Sequence, residues 1–206
     1  MKVSGADFNS NLKESKNIAV VVNTEKGLEG FCAAVALTEL INTFLSKSQG
    51  FNVSTYYLSS FPLGSENLVK RLKVKSKIGE KTVYIKFPIE SVSKVTYDYD
   101  DSEKEFKIGL VGVKGKTVEK EKVNFKEQRE KFDMCIGVGF ASEDKFANQV
   151  PYVKKSKHAF VFNKKNLGGT NLVDGVIQLY FSENVKPNRN ASLAFFTFLS
   201  STKGNN

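Results

Sequence analysis

The chain has 206 residues, of which 40% are hydrophobic and 26% charged, and its formal net charge is +9. This composition is ordinary for a soluble globular protein, and the length suits one large domain or two small ones. No apolar run reaches the roughly 20 residues of a membrane-spanning helix, and the N-terminus lacks the apolar stretch of a signal peptide. We therefore expect a cytoplasmic protein that starts at Met1 and has no membrane partner.

The charge and the cysteine count limit the classes of partner and site. The excess of lysine favours a polyanionic partner such as nucleic acid or a nucleotide phosphate, although a solvated lysine-rich surface is the simpler account. Two cysteines and one histidine give neither a zinc pattern nor a disulfide framework. We expect Cys32 and Cys135 to be reduced and buried.

The first third of the chain predicts a strand, a helix and a second strand. Residues 17–23 form an almost unbroken apolar run typical of a buried strand. Residues 28–45 are apolar on nearly every side of a helix, which predicts a central position. Residues 51–58 alternate and are rich in Val, Thr and Tyr, which indicates a strand. This order predicts a parallel sheet covered by helices.

The middle of the chain changes character between residues 80 and 126. Four short alternating segments, at residues 82–87, 94–100, 105–113 and 117–125, predict an antiparallel β insertion. Tyr97 and Tyr99 must share one face of it, either packed against the α/β core or offered to a partner, and packing is the favoured alternative. Lysines and glutamates spaced through the last segment would block indiscriminate strand pairing at exposed edges.

The α/β pattern then resumes. Residues 134–138 and 159–162 predict buried strands, and residues 142–150 predict a short helix capped by Ser142. Residues 176–180 and 192–199 are apolar and predict two further helices, although the first could also form a strand. The predicted fold is therefore α/β, with a mainly parallel sheet, helices on both faces and an antiparallel β-hairpin insertion. We expect a single domain over residues 1–206, with flexible ends at residues 1–15 and 201–206.

Four segments carry a resemblance to a known group of enzymes. They read VNTEKGLEGFCAAVAL, DMCIGVG, FVFNKK and NLVD, and three of them contain the end of a predicted strand. Together they resemble the N-terminal domain of the DHH-motif phosphoesterase superfamily, which includes RecJ-like exonucleases and oligoribonucleases. In that superfamily, histidine and carboxylate ligands hold two divalent ions that clamp the phosphate and generate a hydroxide nucleophile. The resemblance implies the same cleft here.

The residues at the aligned positions of that cleft are not a metal-ligand set. They are Val21, Glu25, Gly27, Gly139, Asn163, Lys164, Lys165, Asn171 and Asp174. By the alignment, Val21 replaces the first histidine, and Asn163, Lys164 and Lys165 replace the aspartate-histidine-histidine triplet. Only Glu25 and Asp174 are carboxylates, and two carboxylates cannot supply the ligands of two divalent ions. We therefore predict no catalytic residue, no metal and no cofactor.

Two functions remain open at this point. The first is a catalytically inactive DHH-like domain that serves as a binding or structural component of a larger assembly, with a protein partner. The alternative is a metal-poor phosphoesterase, or a protein that binds a nucleotide or nucleic acid in the vestigial cleft. In either case we expect Lys164 or Lys165 to pair with Glu25 or Asp174. Gly168 and Gly169 would allow a phosphate to approach the backbone, or would simply form a turn.

Overall fold

The computed structural model describes residues 8–46, 50–72, 74–79, 81–100, 102 and 104–203. The helices are α1 (Phe8–Glu14), α2 (Gly27–Leu45), α3 (Glu66–Arg71), α4 (Glu143–Gln149), α5 (Lys164–Leu167), α6 (Leu172–Ser182) and α7 (Arg189–Lys203). The strands are β1 (Asn17–Val22), β2 (Asn52–Tyr56), β3 (Lys81–Lys86), β4 (Val92–Asp100), β5 (Glu105–Gly112), β6 (Asn124–Arg129), β7 (Met134–Val138) and β8 (His158–Phe162).

The chain divides into two compact units. An α/β unit comprises Met1–Gly79 and Lys131–Asn206, and a β unit comprises Glu80–Glu130. The β unit thus contains the predicted insertion and ends four residues after its expected boundary. None of its described residues belongs to the two hydrophobic clusters that form the core of the α/β unit. The predicted insertion therefore contributes none of its described residues to that core.

The α/β unit is built on a four-stranded parallel sheet with the order β2-β1-β7-β8. Strand β1 is central, and Ile18 pairs with Val53 on one side and with Met134 on the other. The strands predicted around residues 18, 53, 135 and 161 are confirmed. They are recognisable from sequence because parallel strands buried on both faces read as continuous apolar runs.

Helices cover both faces of this sheet, which confirms the predicted fold class. On one face, Ile18, Val20 and Val22 pack in a cluster with residues of α2, α6 and α7. On the other face, Ala19 and Val21 pack with Phe146 of α4. Because successive side chains of a strand point to opposite faces, β1 supplies both clusters.

Helix α2 lies at the centre of the larger cluster, as its apolar sequence predicts. Twelve of its nineteen residues are buried. Contrary to our expectation that no apolar segment is long enough, the helical stretch Thr24–Leu45 could cross a membrane by length and composition alone. However, 67% of its most apolar window is buried inside the protein. A core helix of a soluble protein satisfies the same test.

The N-terminal part of the chain corrects our expectation of a flexible end over residues 1–15. Helix α1 occupies residues 8–14, and Phe8 is fully buried. Its ring meets Phe160 edge-on at 4.9 Å and Phe162 at 5.5 Å between centroids. Residues 1–7 lie outside the described part. At the other end, α7 continues to Lys203, so residues 201–203 are helical as well.

Both cysteines are free and buried, as predicted. Burial raises the pKa of the Cys32 thiol to about 12 and that of Cys135 to about 11. The reactive thiolate is therefore scarce at neutral pH. Cys32 and Cys135 are packing residues.

The carboxylate of the residue that directly precedes β7 fixes the start of the central strand β1. Asp133 Oδ2 accepts hydrogen bonds from the backbone N–H groups of Lys16 and Asn17, each at 3.0 Å, and Lys157 Nζ lies 3.8 Å from Asp133 Oδ1. Partial burial alone would raise the pKa of Asp133. The two N–H donors and the positive charges of Lys157 and Lys16 outweigh burial, and the pKa is lowered below its ordinary value.

We predict that Asp133→Asn lowers the free energy of unfolding by about 1 kcal/mol at neutral pH, since it weakens charge-assisted hydrogen bonds. A folded-state pKa below the unfolded value of about 3.9 means that the carboxylate stabilises the protein above that pH. The stabilisation is lost as the pH falls through the lowered pKa. Urea unfolding at neutral pH and near pH 3 should therefore show a difference between wild type and variant that shrinks in acid. A pH-independent difference, or a similar effect of Asp98→Asn, would contradict this account.

The β unit contains two antiparallel strand pairs, β3 with β6 and β4 with β5. The predicted strand at residues 117–125 is wrong: Lys120–Lys122 form a 3-10 turn, and β6 begins only at Asn124. The favoured packing of the two tyrosines is also wrong, because Tyr97 is 74% and Tyr99 58% exposed.

Candidate functional site

The candidate site lies where the parallel strands end. Asn23 follows β1, Gly139 follows β7 and Asn163 follows β8. From β1 the chain passes through α2 to β2 on one side, and from β7 it passes through α4 to β8 on the other side. The carboxyl ends of β1 and β7 therefore flank the switch point of the sheet. Open α/β sheets bind their ligands in the crevice at such a point.

A cavity of about 320 Å³ occupies this crevice. We call it the carboxyl-edge cleft. It is lined by Asn23, Glu25, Lys26, Gly139, Phe140, Ala141, Asn163, Lys164, Lys165 and Leu172. Five of these, namely Glu25, Gly139, Asn163, Lys164 and Lys165, belong to the set predicted from sequence. Strands that run in parallel bring residues distant in sequence to one edge, which explains this convergence.

Two asparagines tie the loops of the cleft together. Asn23 Oδ1 accepts from the backbone N–H of Glu25 at 3.1 Å, and its Nδ2 donates to the carbonyl of Gly139 at 3.2 Å. Asn163 Oδ1 caps α5 by accepting from the N–H of Lys165 at 3.0 Å and of Asn166 at 3.2 Å. Its Nδ2 donates to the carbonyl of Ala141 at 3.3 Å. These amides hold the walls of the cleft.

The charged groups of the cleft are predominantly positive. Lys26, Lys164 and Lys165 are exposed at its rim, and Glu25 is the one carboxylate among the lining residues. Within the described part of the chain, none of these three lysines forms a salt bridge with Glu25 or Asp174. The lysine–carboxylate pairing that we expected is therefore not formed. The three ammonium groups remain available to an anion.

Asp174 has a local role at the start of α6. Asn171 Oδ1 accepts from the N–H of Asp174 at 2.8 Å, and Asp174 Oδ2 accepts from Asn171 Nδ2 at 2.8 Å and from the hydroxyl of Thr170. Neither Asn171 nor Asp174 lines the cleft. The literal NLVD match is thus the N-terminal cap of a helix, in which side-chain oxygens satisfy free N–H groups.

Two other residues of the predicted set also lie outside the cleft lining. Val21 is fully buried in the sheet, and its side chain belongs to the hydrophobic cluster on the face covered by α4. Gly27 adopts a positive φ of 47° at the start of α2, where a side chain would meet nothing within 4 Å. The resemblance implied that both residues occupy metal-ligand positions. In the structure, Val21 packs in the core and Gly27 forms the turn at the start of α2.

Gly139 adopts a conformation in which the aspartate implied by the resemblance would be strained. Its φ is +82°, and a Cβ here would lie 2.7 Å from Lys26 Cγ and 3.2 Å from Leu172 Cδ1. The stem of Lys26 thus covers the space that an acidic side chain would need. Sequence reasoning missed Lys26 as a site residue, although it follows Glu25 directly in the NTEKG turn.

Gly168 and Gly169 form the turn between α5 and α6 and do not offer their backbone to a phosphate in the cleft. Gly168 ends α5 in the left-handed conformation, with φ +73°. A Cβ on Gly169 would lie 2.3 Å from the backbone nitrogen of Gly175. Gly169 therefore allows the backbone after α5 to approach α6 closely. Neither belongs to the cleft lining.

The donor set does not fit a pair of divalent ions. The described residues contain no group of three or more His, Cys, Asp or Glu side chains that could hold a metal. In the cleft, one carboxylate stands against three ammonium groups, whereas Mg²⁺ and Mn²⁺ prefer several oxygen ligands. Comparison of the chain with protein-family models gave no match, and comparison with curated proteins gave none either. The relationship to DHH phosphoesterases therefore stays a prediction.

Proposed function

We propose that this protein is a catalytically inactive, DHH-phosphoesterase-like binding domain whose carboxyl-edge cleft binds a phosphate-bearing anion without metal. The observation that carries the proposal is the charge of the cleft, in which Lys26, Lys164 and Lys165 face one carboxylate, Glu25. An ammonium group is a compact charge that binds phosphate well. Three of them around one crevice supply positive charge to an anion without a metal ion.

The size and position of the cleft fit a small ligand. Its volume of about 320 Å³ is at the lower end of the range of roughly 300–1,000 Å³ for small-molecule sites. A pyrophosphate or the phosphate groups of a nucleotide would fill the crevice, and a long polymer would have to extend beyond it. The proposal therefore favours a nucleotide phosphate over extended nucleic acid.

Hydrolysis is not part of the proposal. A phosphoesterase needs an activated nucleophile and groups that stabilise the charge of the transition state. The cleft offers Glu25 as its one carboxylate, and the single histidine, His158, is the first residue of β8, at the opposite end of the strand from the cleft. Binding is thus the role that these side chains support.

We predict that pyrophosphate raises the thermal unfolding temperature in the presence of EDTA, and that Mn²⁺ alone does not. A ligand that binds the native state stabilises it by about 2.7 kcal/mol when its concentration is 100 times Kd. Sodium chloride at matched ionic strength is the control for general screening. A rise with Mn²⁺ alone, or pyrophosphate stabilisation that requires Mn²⁺, would reverse the proposal in favour of a metal-dependent phosphoesterase.

A further inference from the structure

The β unit differs in charge from the rest of the chain. Residues 80–130 contain eleven Lys and Arg and eleven Asp and Glu residues, so their formal net charge is zero. The whole excess of +9 therefore belongs to the α/β unit. Phosphate backbones are attracted by an excess of positive charge, and the β unit as a whole has no such excess. The charge indicates a protein surface as the partner of the β unit.

The hairpin of β4 and β5 has one face made only of apolar and aromatic side chains. In the antiparallel register, Val95 is opposite Leu110, Tyr97 opposite Ile108 and Tyr99 opposite Phe106. Directly opposed residues share a face, so all six lie together. We call them the hairpin face: Val95, Tyr97, Tyr99, Phe106, Ile108 and Leu110.

The hairpin face is exposed over most of its area. Tyr97, Tyr99 and Phe106 are 74%, 58% and 63% exposed, and Val95 and Ile108 are 41% and 43% exposed. The rings of Tyr97 and Phe106 stack at 6.3 Å between centroids, with an interplanar angle of 17°. The reverse face carries polar and charged side chains at most positions, including Lys94, Asp98 and Lys107. An isolated two-stranded hairpin is at best marginally stable in water, so such a face needs a cover.

We propose that the hairpin faces of two copies of this chain pack against each other to form a homodimer. The face carries no charged side chain, so a copy laid on itself about a two-fold axis leaves no charge buried and unpaired. The zero net charge of the β unit means that two copies do not repel each other there. The two hairpins would then form a two-layer β structure with the sheets about 10 Å apart.

The exposed area fits a weak dimer. Three aromatic residues of about 200 Å² each, more than half exposed, and two partly exposed aliphatic residues offer roughly 500 Å² per copy. Two copies bury roughly 1,000 Å², which is at the lower limit for a specific interface. We therefore expect a dimer that forms in the micromolar range and dissociates on dilution. Single-stranded nucleic acid could stack on the rings, but it also needs cations, which the hairpin face lacks.

Sedimentation velocity of the full chain, from low to high micromolar concentration, tests the proposal. Wild type should pass from monomer to dimer, and the double variant Tyr97→Thr/Phe106→Thr should dissociate at least about tenfold more easily, which is 1.4 kcal/mol or more. Threonine keeps the strand preference. Val111→Thr, on the reverse face of the same hairpin, is the matched control and should dimerise like wild type.

Three results would overturn the dimer. They are a wild type that stays monomeric at every concentration, a double variant that dimerises normally, and a Val111→Thr variant that is equally impaired. Far-UV circular dichroism checks that each variant is folded. If the double variant is not folded, Tyr97→Lys replaces it in the test, because it places like charges across the two-fold axis. The pyrophosphate response of these variants should equal that of wild type, so failure of the dimer leaves the ligand site untouched.

Discussion

Reversing the charge of Lys164 and Lys165 together should weaken pyrophosphate binding about a hundredfold or more. A hydrogen bond to a charged group contributes about 1.5 kcal/mol or more, which is about tenfold in affinity for each lysine. The two lysines begin α5 at the end of β8 and line the cleft without a carboxylate partner among the described residues. Glutamate at both positions adds repulsion to the loss of attraction.

The chain offers a closely matched control for this experiment. Lys154 and Lys155 are also adjacent and exposed, lie in the 3-10 turn of residues 151–155 and do not line the cleft. The variants Lys164→Glu/Lys165→Glu and Lys154→Glu/Lys155→Glu change the net charge by the same amount. Isothermal titration calorimetry with pyrophosphate in EDTA should show the loss only in the first. Equal losses in both would mean that the overall charge, and not the cleft, attracts the anion.

Replacing Phe162 with alanine should lower the free energy of unfolding by about 3–5 kcal/mol, as expected for a large buried aromatic side chain. Phe162 is fully buried at the end of β8, and its ring centroid lies 5.5 Å from that of Phe8 in α1. Its removal leaves a cavity between the sheet and the N-terminal helix. Because the whole stability of a domain is typically about 5–15 kcal/mol, the variant should lose a large fraction of it.

Urea unfolding followed by circular dichroism measures this loss. Phe196→Ala is the control, because Phe196 is 69% exposed on α7 and its truncation should change stability by less than about 0.5 kcal/mol. A loss below about 1 kcal/mol for Phe162→Ala would show that β8 and α1 do not pack as described.

The parallel core could be predicted because its signals are local and consistent. Continuous apolar runs indicated β1, β7 and β8, and the all-round apolar pattern of α2 indicated a central helix. The same reasoning failed where local signals were weak. Residues 8–14 contain few apolar residues, yet Phe8 is buried by contacts with β8 that a sequence does not display. The alternating charges around residues 120–122 resembled a strand but form a turn.

The candidate site could be predicted only in part. Residues that follow strands, such as Glu25, Gly139 and Lys164, reach the cleft because the sheet places their strand ends together. Asn171 and Asp174 do not line it, because their side chains instead cap the start of α6. From sequence, a polar pair before a helix is compatible both with a binding site and with a helix cap. Lys26 was missed, since its role depends on the absence of a side chain at Gly139, a relationship between residues more than a hundred positions apart.

The most direct measurement is an amide ¹H–¹⁵N spectrum of the full chain titrated with pyrophosphate in the presence of EDTA. Metal-free binding in the carboxyl-edge cleft predicts saturable shifts concentrated at residues 23–27, 139–141 and 163–166, where the three loops meet. Shifts spread over exposed lysines elsewhere, such as Lys154 and Lys155, or an unchanged spectrum until Mn²⁺ is added, would contradict a metal-free anion site in this cleft.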